Sequence, residues 1–232
     1  MNKYELTTET LQLAGLTLHR IKAVKDFGSV KAGEFGGYIE NEKNLSQDDN
    51  AWIYGEAMAI GNARVFGNAK ILGNAHIFGN AKVFDSARVY DDARVYDDAI
   101  VHNNARIYDN AIVYDNAIVS DYAEVCENAK VCDDADVYGL TRIFGNAKIF
   151  GNATIKGNAK VHDDIDYIVF KNFWSSGRYF TWTRSNNKWS VGCFYGTGEE
   201  LIKKAYADSE KSGREYERVV RYVESILADE RK

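Results

Sequence analysis

Carboxylates recur at multiples of six residues through the middle of this chain, so any regular fold would stack them. The recurring acids are Asp91, Asp97, Asp98, Asp109, Asp115, Asp133 and Asp134. Like charges held one strand apart repel, so they must be solvated, hydrogen-bonded or neutralised by cations. Three interpretations stay open: residues that satisfy corner geometry and face water, a weak Ca²⁺ site built from oxygen ligands, or an acidic edge for a basic partner.

Arginines and aromatic residues recur beside these acids with a spacing of eighteen residues or a multiple of it. They are Arg88, Tyr90, Arg106, Tyr108, Arg142 and Phe144. Stacked rings stabilise a sheet, but arginine and large aromatics are also favoured at the centre of protein interfaces. The candidate basic and aromatic face therefore suits a partner protein or a phosphate-bearing ligand. A net charge of −5 makes direct nucleic-acid binding the least favoured use.

A six-residue word explains this spacing and predicts the elements that position the side chains. It repeats nineteen times without a break between Ile53 and Asp166, as in VFGNAK-ILGNAH-IFGNAK. Alternation along a strand places Val83 inside and its neighbours Lys82 and Phe84 outside. Gly, Asn and Asp at word positions three and four turn the chain, and Ala at position five fills the corner. Three words make one coil, so residues eighteen apart lie about 4.8 Å apart on one face.

This word resembles the hexapeptide-repeat left-handed β-helix family. The resemblance implies an all-β solenoid, a triangular left-handed parallel β-helix of about six to seven coils. The opening KDF, VKAG, GGY, NLS and AWIYG is similar to the start of uncharacterised bacterial and phage hexapeptide-repeat proteins, some labelled transferases on the repeat alone. We predict an N-terminal cap over residues 1–44, the β-helix over 45–166 and a separate unit over 167–232.

The C-terminal unit has the pattern of a small α+β domain. YIVFKNFW, RYFTWTRS and WSVGCFYG predict strands, and two helices should follow from the capping-box pairs Thr197 with Glu200 and Ser212 with Glu215. Core packing is the favoured role of the aromatic residues here, and an exposed aromatic binding surface is the alternative. The residues concerned are Trp174, Trp182 and Trp189.

Histidine and cysteine are too few and too scattered to predict a catalytic or metal centre. Acyltransferases of the resembled family typically use a histidine base, often in a loop extruded from the solenoid, but no word here carries an insertion. His76, His102 and His162 fall in different columns, so they do not converge on a zinc ion. Cys126 and Cys132 lie on different faces and are predicted to be separate surface thiols. We expect no catalytic residue, no metal and no cofactor, which favours a non-enzyme.

The sequence therefore favours a protein that works by protein–protein contact. Sparse cysteine and the absence of a signal peptide or membrane span predict the cytoplasm of a bacterial host. The resemblance to phage and prophage proteins suggests that an acidic edge binds and inhibits a host protein, such as a nucleic-acid-handling defence enzyme. A dimer or trimer is expected, with outward Ile100, Ile112 and Ile118 as candidate contacts. An acyltransferase and a structural homo-oligomer are the alternatives.

Overall fold

A long antiparallel hairpin opens the chain in the computed structural model, which describes residues 2–229. Its strands are β1 (Tyr4–Leu13) and β2 (Leu16–Ala23), joined by a tight turn with left-handed backbone at Ala14 and Gly15. Strand β3 (Phe35–Ile39) follows, and a short 3-10 helix covers Glu42–Asn44. Because β3 pairs with the strand Met58–Ala59, the hairpin extends one wall of the body that comes next.

Nineteen strands of two residues each follow within the described chain. They are β4 (Trp52–Ile53), β5 (Met58–Ala59), β6 (Arg64–Val65), β7 (Lys70–Ile71), β8 (His76–Ile77), β9 (Lys82–Val83), β10 (Arg88–Val89), β11 (Arg94–Val95), β12 (Ile100–Val101), β13 (Arg106–Ile107), β14 (Ile112–Val113), β15 (Ile118–Val119), β16 (Glu124–Val125), β17 (Lys130–Val131), β18 (Asp136–Val137), β19 (Arg142–Ile143), β20 (Lys148–Ile149), β21 (Thr154–Ile155) and β22 (Lys160–Val161).

These strands form three parallel sheets, so the body is a parallel β-solenoid. Every third strand pairs, in the orders β5-β8-β11-β14-β17-β20, β4-β7-β10-β13-β16-β19-β22 and β6-β9-β12-β15-β18-β21. Residues eighteen apart are direct partners, as Arg88 is with Arg106. The eighteen-residue coil predicted from the six-residue word is confirmed, and the arrangement is that expected of a hexapeptide-repeat left-handed β-helix.

The interior of the solenoid consists of the first and fifth positions of each word. Val83 and Ala87 are fully buried, while Lys82 is exposed. Burying one valine contributes roughly 1.5–3 kcal/mol, and the same contact is repeated in every coil. The predicted alternation of inside and outside side chains is therefore confirmed.

The N-terminal segment closes the open end of the solenoid with a buried cation. The ammonium group of Lys3, only 1% exposed, donates to the backbone oxygens of Asp49 at 2.9 Å and Ala51 at 2.8 Å. Burial lowers the pKa of Lys3. Tyr4 and Phe27 pack edge-on against the ring of Trp52, so carbonyls and apolar surface that the first coil leaves unpaired are both covered.

The opposite end is covered by a four-stranded antiparallel sheet and two helices. Their bounds are β23 (Tyr167–Lys171), β24 (Tyr179–Thr183), β25 (Lys188–Val191), β26 (Phe194–Gly196), α1 (Gly198–Asp208) and α2 (Glu210–Asp229), and a 3-10 helix at Asp164–Asp166 precedes them. The sheet docks on the last coils, because the Thr154 amide donates to the Thr181 hydroxyl at 2.9 Å. None of the described helices is long and apolar enough to cross a bilayer.

The first predicted helix cap is confirmed and the second is wrong. The Thr197 amide donates to the Glu200 carboxylate at 2.7 Å, and the Glu200 amide donates back to the Thr197 hydroxyl at 3.3 Å. Helix α2 begins earlier than expected, so Ser212 lies inside it. Its amide donates to the hydroxyl of Ser209 at 3.1 Å, which makes Ser209 the capping residue.

The C-terminal tryptophans belong to a core, which corrects the hypothesis that they form an exposed aromatic surface. Trp182 and Trp189 are buried between the sheet and the helices. Trp174 is partly buried and packs edge-on against Phe180 and Tyr216. On β24, Thr181 faces the solenoid while Phe180 and Trp182 face the helices, because successive side chains of a strand point to opposite sides.

Candidate functional site

Every corner of the solenoid has a residue with left-handed backbone at word position three. The φ angle is positive at each such residue from Gly55 to Gly157. Glycine occupies this position in the end coils, whereas the middle coils use acids or asparagine there. The latter are Asp85, Asp91, Asp97, Asn103, Asp109, Asp115, Asp121, Glu127 and Asp133. The third position alone adopts this conformation, and its residue type changes along the axis while its geometry does not.

From Asp85 to Asp133, every corner carboxylate except that of Asp97 accepts a hydrogen bond from the backbone of the following coil. Oδ2 of Asp109 accepts from the Glu127 amide at 3.0 Å, and Asp133 accepts from the Gly151 amide at 2.8 Å. Asp115 likewise accepts from the amide of Asp133 at 3.2 Å. These bonds favour the interpretation that the acids satisfy corner geometry. Each carboxylate keeps a second oxygen, so the acidic edge remains a prediction.

The fourth word position adds a second set of bonds between coils. Asn80 donates its amide to Asp98 at 3.0 Å, and Asn116 donates to Asp134 at 3.0 Å. Amide donors beneath these carboxylates reduce the repulsion that bare stacked acids would suffer. The predicted acids are thus brought together in columns, and each carboxylate apart from that of Asp97 is hydrogen-bonded to a neighbouring coil.

Cysteine burial corrects the prediction of surface thiols. Cys126 and Cys132 are both buried, although each stands at an outward word position. The hydroxyls of Tyr108 and Tyr114, one coil below, bond to them and cover them. Burial also raises the pKa of Cys132. A thiol is small enough to be covered by the tyrosine of the neighbouring coil. This contact joins two coils, so one six-residue word does not predict it.

One group of metal-ligand side chains lies close together within residues 2–229. The ligand atoms of Asp115, Cys132 and Asp133 are within 4.8 Å of one another. Both carboxylates already accept backbone amides, and burial raises the pKa of the Cys132 thiol, which disfavours the thiolate that a metal would need. We therefore assign no metal to this group.

The predicted basic and aromatic residues share one sheet. Arg88, Tyr90, Arg106 and Tyr108 stand on neighbouring strands β10 and β13, and we name them the arginine–tyrosine face. The rings of Tyr90 and Tyr108 stack with centroids 5.0 Å apart and planes 2° apart. Glu124, on the next strand, pairs with Arg106 at 3.4 Å.

Arg142 and Phe144 lie on the same sheet but beyond that pair. The Arg142 guanidinium covers the Phe144 ring at 5.1 Å, and one of its nitrogens is 3.8 Å from the sulfur of Cys126. Glu124 interrupts the column of cations between Arg106 and Arg142. Glu124 therefore divides the predicted face into two separate patches. The arginine–tyrosine face is bordered by two grooves.

Two grooves flank the arginines of this face. The first, of about 360 Å³, is bounded by Leu72, Gly73 and Asp91. The second, of about 460 Å³, is bounded by Tyr122 and Leu140 among others. Arg88 and Arg106 form the ridge that separates the two grooves.

Tyr122 and Leu140 are functional candidates that sequence reasoning missed. They are 62% and 69% exposed and stand at a corner, one coil apart. Both occupy word position four, where Asn or Asp is usual, in the words VSDYAE and VYGLTR. Departure from the word was the available signal, because an apolar residue at an outward corner has no role in the repeat.

The outward isoleucines fall on two faces. Ile100 and Ile118 are partners on adjacent strands and are partly exposed, whereas Ile112 pairs with Arg94 on another sheet. Two isoleucines thus make a small apolar patch, and the third is separate from it. Their role as contacts between copies stays a prediction.

The histidines have acidic neighbours that the sequence did not identify. Nδ1 of His162 lies 2.6 Å from Oδ2 of Asp163, and this bond raises the pKa of His162. His102 stacks on Phe84 at 5.0 Å and lies 3.8 Å from Asp85. These two pairs stand on different sheets, so they do not converge on one reacting centre.

Comparison with known proteins agrees with this architecture. The family model of the YdcK β-solenoid repeat matches residues 87–103 and 105–121, the coils that bear the arginine–tyrosine face. The uncharacterized acetyltransferase YdcK of Escherichia coli (strain K12) is 36% identical over 64 residues, which cover 24% of this chain and 20% of that protein. The chain is a hexapeptide-repeat β-solenoid that aligns with about a fifth of this curated relative.

Proposed function

We propose that this β-solenoid is a non-enzymatic scaffold that binds a partner protein on the arginine–tyrosine face. The observation that carries the proposal is the ridge of Arg88 and Arg106, with stacked tyrosines on one side and the exposed Tyr122 and Leu140 on the other. Arginine and tyrosine are the residue types that contribute most at protein interfaces.

The shape of the face supports a macromolecular partner over a small substrate. The two grooves share the same two arginines as a wall, so a partner that covers this ridge contacts both grooves at once. Exposed apolar side chains beside charged ones are typical of a contact that is dry at its centre and polar at its rim. The regular stacking of coils presents these groups on an ordered backbone, which lowers the entropic cost of binding.

The corner acids suit a partner with a basic groove. Columns such as Asp97, Asp115 and Asp133 repeat a carboxylate at the strand spacing, and they lie along the edge of the solenoid. Together with the resemblance to phage and prophage solenoids, this extends the proposal to inhibition of a host nucleic-acid-handling enzyme. Carboxylates in such a groove would compete with phosphates for the same arginines and lysines.

The test is capture from bacterial lysate by the full chain and by a double variant, Tyr122→Ser with Leu140→Ser. We expect one stoichiometric protein on the unchanged chain and at least about tenfold weaker retention on the variant. Phe150→Ser is the matched control, because Phe150 is also exposed but lies on another sheet. A partner retained equally by all three proteins would place the interface elsewhere, and no partner at all would contradict the proposal.

Homo-oligomerisation is proposed through the patch of Ile100 and Ile118. Light scattering on the unchanged chain should give a dimer or trimer, and Ile118→Asp should shift it to the monomer. Ile112→Asp is the control, because this residue lies on a different sheet from the patch. A monomer at all concentrations contradicts this part of the proposal.

Acyl transfer is a second candidate function, favoured by the contact between His162 and Asp163 and by the name of the relative in Escherichia coli. A carboxylate that orients a histidine is what a general base requires. Acetyl-CoA binding by the purified chain, together with acetylation of an amine acceptor that is lost in His162→Asn, would establish this function. Neither binding nor turnover is expected if the scaffold proposal is right.

A further inference from the structure

A groove lies between the last coils of the solenoid and the C-terminal domain, and we name it the junction groove. Its volume is about 540 Å³, which is within the range of small-molecule sites. The solenoid contributes Asp136, Tyr138 and Thr154 to its lining, and the C-terminal domain contributes Arg178, Tyr179 and Gly192. The strands of its solenoid wall, β18 and β21, belong to a different sheet from the arginine–tyrosine face, so the groove is an independent site.

The two walls of the junction groove are fixed to each other by hydrogen bonds. The Lys156 ammonium donates to the Gly192 oxygen at 3.2 Å, and the Tyr195 hydroxyl donates to the Lys156 oxygen at 3.3 Å. The Thr154 amide donates to the hydroxyl of Thr181 at 2.9 Å. A groove with walls tied in this way is formed before any ligand arrives, which lowers the cost of binding.

The solenoid wall carries an anion that has no partner. Asp136 is partly buried, and in the described chain its carboxylate accepts no hydrogen bond and joins no ion pair. Burial raises the pKa of this carboxyl. Removing a carboxylate from water without a partner is unfavourable, so the site favours a cationic group. Asp134 also lines the groove, but it already accepts a hydrogen bond from Asn116 at 3.0 Å.

The opposite wall carries a cation that also lacks a partner in the described chain, but this cation is exposed. The guanidinium of Arg178 is exposed, and it makes no hydrogen bond or ion pair with residues 2–229. Asp136 and Arg178 line one groove yet do not pair with each other. A ligand that reaches both must present a positive group to the first and a negative group to the second.

We propose that the junction groove binds a small zwitterion of the amino-acid class. Its ammonium group meets Asp136, and its carboxylate meets the fork of Arg178, which suits planar anions. The rings of Tyr138 and Tyr179 stand beside these charges and suit an apolar or aromatic side chain. Lys156 lies over the Tyr138 ring at 5.7 Å and Lys171 over the Tyr179 ring at 5.2 Å, so each ring already has a cation beside it.

The test begins with ligand-observed NMR on the full chain, using the free proteinogenic amino acids as probes. The strongest binder is then titrated calorimetrically beside its amide, which keeps only the ammonium, and its N-acetyl derivative, which keeps only the carboxylate. We expect the zwitterion to bind at least about tenfold more tightly than either derivative. Asp136→Asn and Arg178→Gln should each weaken the zwitterion by a similar factor.

The pattern across derivatives distinguishes this site from a general charge effect. Asp136→Asn should leave the N-acetyl derivative unaffected, and Arg178→Gln should leave the amide unaffected. Asp98→Asn and Arg214→Gln, both outside the groove, are the matched controls, and circular dichroism checks that every variant is folded. No saturable binder, or binding that survives both groove substitutions, overturns the proposal.

Discussion

The middle and end coils of the solenoid reach the same left-handed corner by different chemistry. In the end coils glycine supplies the conformation, since it has no Cβ to oppose a positive φ. In the middle coils acids accept the conformation and bond to the amide of the coil above, as Asp133 does with Gly151. The acidic middle is therefore first a structural device, and any binding role falls to the carboxylate oxygens that accept no backbone amide.

At the boundary between the two kinds of coil, a glycine corner lies against an aspartate corner. Gly73 lies directly below Asp91, and a Cβ on Gly73 would come within 2.9 Å of the Asp91 amide nitrogen. Gly55, one coil lower in the same column, has its closest neighbour at 3.5 Å, the oxygen of Gly73. Both positions favour glycine because the backbone is left-handed. Gly73 also needs glycine because a Cβ there would clash, which is not the case at Gly55.

Gly73→Ala is the substitution with the largest expected effect on stability. A left-handed alanine costs about 1–2 kcal/mol at either corner, and the clash with Asp91 adds about 1 kcal/mol more in the boundary coil. Urea unfolding should show Gly73→Ala to be less stable than Gly55→Ala by that difference. Equal losses in the two variants would show that the coils can separate freely at the boundary.

Removing a corner carboxylate should have the next largest effect. Asp133→Ala deletes the bond to the Gly151 amide, which is then left without its partner, and about 1 kcal/mol of stability should be lost. Asp97→Ala is the matched control at the same corner, because in the described residues the Asp97 carboxylate accepts no hydrogen bond. Identical midpoints in urea for the two variants would contradict the structural role of the acids.

Most of the solenoid was predictable because each word repeats one local rule. The burial of Val83 and the exposure of Lys82 follow from alternation alone, and the pairing of Arg88 with Arg106 follows from three words per coil. The burial of Cys126 was not predictable, because it depends on the size and direction of Tyr108 in the coil below.

The candidate sites were harder to predict than the fold. The eighteen-residue columns predict Arg88 and Tyr90. Tyr122 could have been predicted from its position in the repeat, where Asn or Asp is usual. The junction groove had no signal, since Asp136 and Arg178 meet only because the C-terminal sheet docks on the last coils. Contacts between units depend on docking geometry, which a repeat does not encode.

Substitution of Asp136 should have the smallest effect on stability. It also gives the clearest test of how a carboxylate without a partner differs from one that has a partner. Its folded pKa is raised by burial, so the folded protein binds this proton more tightly than the unfolded chain. The contribution to stability is therefore present below the ordinary aspartate pKa of about 3.9 and is lost as pH rises through the folded value. Asp136→Asn should match the unchanged chain at low pH and become the more stable of the two near neutrality, as measured by urea unfolding across that range.

Asp98→Asn, which removes a carboxylate that Asn80 bonds, should show no such gain. A neutral-pH gain in both variants would mean that general repulsion in the acidic middle, and not the unpaired burial of Asp136, sets the pH dependence.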